Sequence, residues 1–324
     1  VTVLPSPSRA ASDARATSAA RSVRSGVLLV VLSVALSALG VGCSDSNESA
    51  ADPDVEPSGL GKEVTVPISA TVTSVVQPGS DPRSLLRPGY EIGTSQQVTL
   101  RTNHHIEQEI NDQAARDFSP PAVTIPLTAR TERDGVDLTL GSPTSTDPAL
   151  AQQLSTADGS HAGLEMSELG AITALRMAPK PATPDPARAA LEQAFYQAVY
   201  QSIAFPTEPV GEGAVWTVHQ QVSGAVPLEQ VTTATLTKRE GDRLTIELDV
   251  TQTPKSNVWD LPNNAGSLDI ADYRMRGTGT ITVDLGLPLP VAGSVTVGGR
   301  QFYKDPRSSV LLRQNISTQV QWGE

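Results

Sequence analysis

The chain has 324 residues, with 24 Lys and Arg against 35 Asp and Glu, a net charge of −11, a single cysteine and only 4% aromatic residues. One cysteine excludes an internal disulfide framework, a thiolate zinc site and an iron–sulfur cluster. The acidity weighs against nucleic-acid binding and against direct attraction to anionic lipid headgroups. With so few rings, the core must be built mainly from Val, Leu, Ile and Ala, which suits a β-rich fold.

The first feature along the chain is GVLLVVLSVALSALGVG, Gly26–Gly42, which carries no charge, follows Arg21 and Arg24, and ends in small residues. That order is the n-region, h-region and small-residue end of a signal peptide. A retained membrane helix is the rival, because the run sits near the lower limit of about 17–25 apolar residues needed to span a bilayer. The run ends at the sole cysteine, in Leu39-Gly40-Val41-Gly42-Cys43-Ser44. This segment resembles the lipobox of bacterial lipoprotein precursors, in which the cysteine becomes the mature N-terminus and carries a thioether-linked diacylglycerol. The match departs from the family at Gly40, where Leu is usual, and Gly40-x-Gly42 also suits the ordinary signal peptidase. The resemblance implies residues 1–42 as signal peptide, Cys43 as the lipid attachment site, and an extracytoplasmic protein anchored to the cell membrane. No methionine precedes Met166, so Val1 is read as a GTG start, with Val23 as a later candidate. Removing residues 1–42 leaves 20 basic against 34 acidic residues, a charge of −14.

From Ser44 to Glu63 the sequence SDSNESAADPDVEPSGLGKE has almost no large apolar residue. It reads as a flexible tether over 43–62. From residue 63 onward a single β-rich domain is expected to run to residue 324. Val, Thr and Ile content and partial alternation mark a strand or a bulged strand pair at Val64–Val76, and further strand-like runs follow at Ser95–Arg101, Val123–Arg130, Val136–Leu140, Gly163–Ser167 and Ala171–Met177. A second series follows at Ala214–Val222, Val231–Thr237, Leu244–Thr251, Thr278–Leu285, Gly293–Val297 and Val310–Gln321. Asp134-Gly135 and Glu240-Gly241 fall at tight hairpin positions. Between the series lies one clear helix: Asp185 can cap it, Pro186 suits its first turn, Leu191, Phe195, Val199 and Ile203 recur every four residues, and Pro206 ends it. Shorter helices are expected over Ile106–Phe118 and Pro148–Thr156.

An internal repeat is one reading of the two series. Thr131-x-Arg133-Asp134-Gly135-x-x-Leu138-Thr139 matches Thr237-x-Arg239-Glu240-Gly241-x-x-Leu244-Thr245, and Gly170-Ala-Ile172-Thr173-Ala174 matches Gly279-Thr-Ile281-Thr282-Val283. The other reading is that any two polar hairpins look alike. The expected fold is therefore mainly β with one clear helix (α+β), a curved antiparallel sheet of two meander halves, 123–177 and 231–288, packed with that helix.

Catalytic motifs are sparse. No Gly-x-Ser-x-Gly elbow occurs, and His104, His105, His161 and His219 show no spacing that pairs them with a nucleophile. His104-His105 with Glu107 and Glu109 is the one cluster that looks like metal chemistry, since His105, Glu107 and Glu109 would share one face of a strand; a solvated polar segment is the plainer reading. Gly211-Glu212-Gly213 lacks the third glycine of a dinucleotide fingerprint and is better read as a turn into the strand of Trp216. Asp269 and Asp272 lie near Trp259 and Tyr273, as in sugar-binding loops, a pattern that also arises by chance. No catalytic residue, metal or cofactor is expected.

The segment Phe205-Pro206-x-Glu208-Pro209-Val210-Gly211-x-Gly213-x-x-Trp216, preceded by a helix and by Leu164-x-Met166-Ser167-x-x-Gly170, resembles a family of secreted bacterial lipoproteins of unknown function. At the level of fold alone, a lipid-anchored antiparallel β body with a helix is similar to the LolA and mycobacterial LppX type carriers, whose curved sheet holds acyl chains. These resemblances imply a non-enzymatic envelope protein that binds an apolar or amphiphilic ligand. The alternative is a structural or partner-binding envelope protein with a filled core. A continuous apolar cavity between sheet and helix would favour the first, and a filled interior the second.

Overall fold

The computed structural model describes residues 63–133, 135–261 and 265–323. The signal segment, Cys43, the tether to residue 62, and Asp134 lie outside the described residues. Among the described residues no helix is long and apolar enough to cross a membrane.

The chain begins with two short strands, β1 (Val64–Pro67) and β2 (Val72–Gln77), followed by β3 (Ser95–Ile110), β4 (Arg116–Asp117), β5 (Val123–Glu132), β6 (Gly135–Leu140) and β7 (Thr144–Ser145). After helix α1 (Pro148–Leu154) come β8 (His161–Met166) and β9 (Ile172–Ala178), then helix α2 (Asp185–Tyr200). The second series is β10 (Val215–Val222), β11 (Leu228–Glu240), β12 (Arg243–Pro254), β13 (Val258–Leu261), β14 (Gly266–Asp284), β15 (Ala292–Lys304) and β16 (Leu311–Gly323). All join one antiparallel sheet in the order β1-β9-β8-β6-β5-β3-β16-β15-β14-β12-β11-β10-β2, with β4, β7 and β13 attached beside β3, β5 and β14. The expected mainly β fold with a curved antiparallel sheet is what the chain adopts.

Its topology is two meanders, β3-β5-β6-β8-β9 and β10-β11-β12-β14-β15-β16, joined through the β3–β16 ladder, with α2 between them in sequence. The sheet is not closed by a ladder. Yet β1 and β2, which occupy its two opposite edges, are separated by only residues 68–71. That corner is pinned on both sides: Ile68 N–H donates to Thr173 O at 2.8 Å, and the Gln220 amide donates to Ser69 O at 3.1 Å. A continuous stretch of main chain thus clasps two edges that would otherwise offer unpaired backbone groups.

Strand alternation decides what faces inward. Val98, Leu100, Val123, Ile125, Leu127, Val136, Leu138 and Leu140 point to the concave side, where they meet Leu191, Phe195 and Val199 of α2. On the second meander, Trp216, Leu236, Leu244, Ile246, Ile281 and Val295 form an adjoining core with Phe205 and Val210. Helix α2 lies in the curl of the sheet as its four-residue apolar spacing predicts. The helix ends at Tyr200, short of the Ile203 that its expected spacing includes, and its N-cap is Pro184 without a side-chain bond, so Asp185 sits inside the first turn, where its charge still favours the helix dipole. At the other end, buried Gln230 donates to Tyr200 O at 2.7 Å and satisfies one of the last helical carbonyls.

Segment 106–118 is not a helix. Residues Ile106–Ile110 continue β3, paired with Leu312–Ile316, and the chain turns at Asn111, whose φ of 54° is left-handed, before β4. Twelve consecutive pairs with β16 outweigh the local helix propensity of this polar stretch. The expected helix at Pro148–Thr156 is observed as α1 with a following 3₁₀ turn, Asp147 capping Leu150 N–H at 2.7 Å. In the two hairpins the closing pairs are Glu132–Gly135 and Glu240–Arg243, so Gly135 belongs to a closing pair whereas the Gly241 aligned with it lies inside the turn. Gly170 precedes β9, whereas Gly279 lies within β14.

Candidate functional site

Helix α2 does not cover the whole concave face. On one side, where Phe195, Val199, Ile203, Phe205, Leu285, Leu289 and Trp322 meet, an apolar cavity of about 70 Å³ remains. Its rim segment is held by buried Gln96, which donates to Leu289 O at 3.1 Å and accepts from Leu289 N–H at 3.0 Å. That volume is under half of the roughly 150 Å³ that accommodates benzene in an engineered cavity. An acyl chain of a membrane lipid does not fit it.

On the other side the sheet forms a larger trough of about 190 Å³, lined by His104, Ile106, Gln108, Tyr273, Gln301, Tyr303, Gln314 and Ile316, with Trp259, Ala225 and Val226 across from them. The curvature of the sheet explains how Ala225 and Val226, from the loop between β10 and β11, face β3, which is six places away in the sheet. Strand register explains the floor. Gln108 pairs with Gln314, Gln314 with Gln301, and Gln301 with Tyr273, so one polar row crosses β3, β16, β15 and β14. The neighbouring row pairs Ile106 with Ile316. Short β13 folds over the end of β14 on a small core of Trp259, Leu268, Tyr303 and Leu312. There the Trp259 and Tyr303 rings pack at 4.9 Å between centroids, tilted by 55°.

The polar groups of this trough are neutral and incompletely satisfied. Tyr303 donates to Gln301 Oε1 at 2.6 Å, and His104 Nδ1 lies 2.7 Å from Thr318 Oγ1. Among the described residues, the amides of Gln108 and Gln314, the Tyr273 hydroxyl and His104 Nε2 have no protein hydrogen-bond partner. Gln108 and Gln314 are only 9% and 8% exposed. The buried indole N–H of Trp259 is likewise unpartnered. Burial, with a smaller contribution from neighbouring His105, pushes His104 down to about 4, so the ring is uncharged at neutral pH. Burial also pushes the Tyr273 and Tyr303 hydroxyls far up. Among the described residues no Asp, Glu, Lys or Arg lines the trough.

The residues singled out in the sequence are distributed differently. Trp259 and Tyr273 do meet in the trough, but Asp272 points away to an ion pair with Arg274 at 3.1 Å, and Asp269 is exposed. His105, Glu107 and Glu109 share the outer face of β3, as strand geometry requires, yet Glu109 is bound to Arg313 at 2.6 Å and His105 lies 3.8 Å from Glu107. Among the described residues no group of three His, Cys, Asp or Glu is placed to hold a metal. His105 Nδ1 also lies 2.8 Å from Ser119 Oγ, but the Ser119 hydroxyl proton is given to Asp117, and the same oxygen accepts from Ile106 N–H. A serine nucleophile needs its proton on the histidine, so this cluster is a turn anchor. His161 and His219 make surface pairs with Asp137 and Glu229 at 3.3 and 3.5 Å. Gly211 and Gly213 shape the turn before β10; a Cβ on Gly211 would lie 1.8 Å from Ser80 O. Trp216 in the same motif donates its indole N–H to Ala204 O at 3.0 Å, tying that turn to the end of α2.

Comparisons with family models, with curated proteins and with solved structures give no match.

Proposed function

We propose that the protein is a non-enzymatic, lipid-anchored extracytoplasmic binding protein that holds a small amphiphilic ligand in the trough of its concave face. The attachment is through lipid on Cys43, a reading that rests on the leader sequence alone. The ligand reading rests on one observation: Gln108, Gln314, Tyr273 and His104 present hydrogen-bonding atoms without protein partners beside the apolar side chains Ile106, Val226 and Ile316. Among the described residues the one trough atom that is both buried and unpartnered is the Trp259 indole N–H; a buried polar group left unmatched costs about 1–3 kcal/mol and calls for an explanation such as a ligand or ordered water, while the unpartnered atoms of Gln108, Gln314, Tyr273 and His104 stay accessible to solvent and so to a ligand. A ligand with one polar and one apolar side would match both halves of the lining. At about 190 Å³ the site suits a small ligand, since drug-sized molecules occupy roughly 300–1,000 Å³.

A structural or partner-binding envelope protein is the second reading, and the nearly filled interior beside Phe195 and Trp322 favours it. The three tryptophans separate the two. Trp259 lines the trough, Trp322 lines the apolar cavity and Trp216 is fully buried in the core. In an NMR titration of the Cys43→Ala protein with a short-chain monoacylglycerol below its micelle concentration, the binding reading predicts a saturable shift of the Trp259 indole N–H signal that Ile316→Trp abolishes by filling the trough. Unshifted signals, or a shift at Trp322 alone, contradict it.

A further inference from the structure

Resting on the reading of the trough as a binding site, we propose that its ligand is an uncharged, polyhydroxylated ring, a neutral pyranose sugar. Charge is the first discriminator. A carboxylate or ammonium entering the trough would lose hydration and find no counter-charge, because every polar side chain there is an amide, a phenol, an indole or an uncharged imidazole. Hydrogen-bond chemistry is the second. Gln108, Gln314 and Gln301 stand side by side on three adjacent strands, roughly 4.8 Å apart. Each primary amide offers two donors and an acceptor oxygen. A hydroxyl group also donates and accepts, so a ring carrying several of them can engage a row of amides in either orientation. An acyl chain would leave the same amides stranded.

The aromatic groups supply the third argument. A pyranose has an apolar face of C–H bonds, and the trough offers Trp259, Tyr273 and Tyr303 for it to cover, with Trp259 already braced against Tyr303. Volume agrees, because about 190 Å³ exceeds the void that holds benzene and falls short of the space a whole lipid needs. Such a ring could come from a free or polymeric sugar or from the headgroup of a neutral glycolipid; the recognition chemistry is shared.

The test uses the full-length Cys43→Ala protein and follows the Trp259 indole signal. One arm titrates methyl glycosides of glucose, galactose and mannose; the other adds vesicles containing monogalactosyl diacylglycerol. Saturable binding at millimolar concentration or below in either arm is expected, with glucuronate at least tenfold weaker. Binding in the first arm assigns a free or polymeric sugar, and binding in the second alone assigns a lipid headgroup. Gln108→Leu with Gln314→Leu should weaken binding by at least about tenfold per amide without lowering the urea midpoint. Ile316→Trp, which leaves the amides in place, gives the same loss if the double variant does not fold. Absence of saturation in both arms overturns the sugar assignment. If the monoacylglycerol still shifts Trp259, the amphiphile reading stands alone; if it does not, both readings fall.

Discussion

Acidification is the perturbation that most directly probes the trough. His104 is pushed down to about 4 from an ordinary value of 6.5, chiefly by burial and secondarily by His105. A histidine with a lowered folded-state pKa favours the fold while neutral. Its contribution is therefore complete above pH 6.5 and is lost as the pH falls through the window from 6.5 to 4. The linkage relation converts that gap into roughly 3 kcal/mol at most, of which about 2.5 kcal/mol is gone by pH 4.5. Carboxylates elsewhere also begin to titrate there, so the quantity to measure is a difference. Urea midpoints are taken at pH 7 and 4.5 for the wild type and for His104→Gln, a neutral replacement able to keep a bond to Thr318. The wild type should lose about 1 M more midpoint than the variant, taking an m-value of roughly 2–3 kcal/mol/M. The His104 ring proton followed by NMR should titrate near 4. A midpoint at or above 6, or equal acid sensitivity in the two proteins, would refute the description of the His104 ring as desolvated and uncharged.

Three further substitutions probe the rest of the account. Gln96→Leu strands both backbone groups of Leu289 and should cost about 2–4 kcal/mol, with faster deuterium exchange at the Leu289 amide. Gly211→Ala places a methyl group 1.8 Å from Ser80 O and should cost more than about 3 kcal/mol or prevent folding, read from the thermal midpoint. Cys43→Ala should release the protein from membranes and abolish acyl labelling; continued membrane association would mean that Gly26–Gly42 is a retained helix and that the lipid anchor is wrong.

How legible the fold was depends on what each strand carries inward. Where inward positions are aliphatic, as at Val123, Ile125 and Leu127 or Leu244, Ile246 and Leu248, the period of two is plain in the sequence and the strands are where it places them. The apolar alternation ends at Arg101, at Val297 and, going backward, at Thr278. The strands nonetheless continue to Ile110, to Lys304 and back to Gly266. Those extensions carry the trough. Their inward positions are His104, Gln108, Gln301 and Tyr273, so the apolar alternation lapses where the site begins. The short strand at Val258–Leu261 is silent in the sequence for a related reason: four residues between polar loops carry no period. Trp259 and Tyr273 share the trough, whereas the carboxylates near them in sequence, Asp269 and Asp272, lie outside it. The glutamine row could not be read at all, since it exists only through the register of β3, β16 and β15, and residues 108, 314 and 301 are remote in sequence. His104 and His105 looked equivalent in the sequence, whereas strand alternation sends the first into the trough and the second to the outer surface.

The central claim is that the trough holds a small ligand, and native mass spectrometry of the Cys43→Ala protein, exported and purified from its own host without detergent, tests it most directly. The account predicts a bound species of fixed mass that is lost in Ile316→Trp. An adduct that Ile316→Trp retains, or a wild type that stays ligand-free when supplemented with millimolar monoacylglycerol or methyl glycoside, would contradict it.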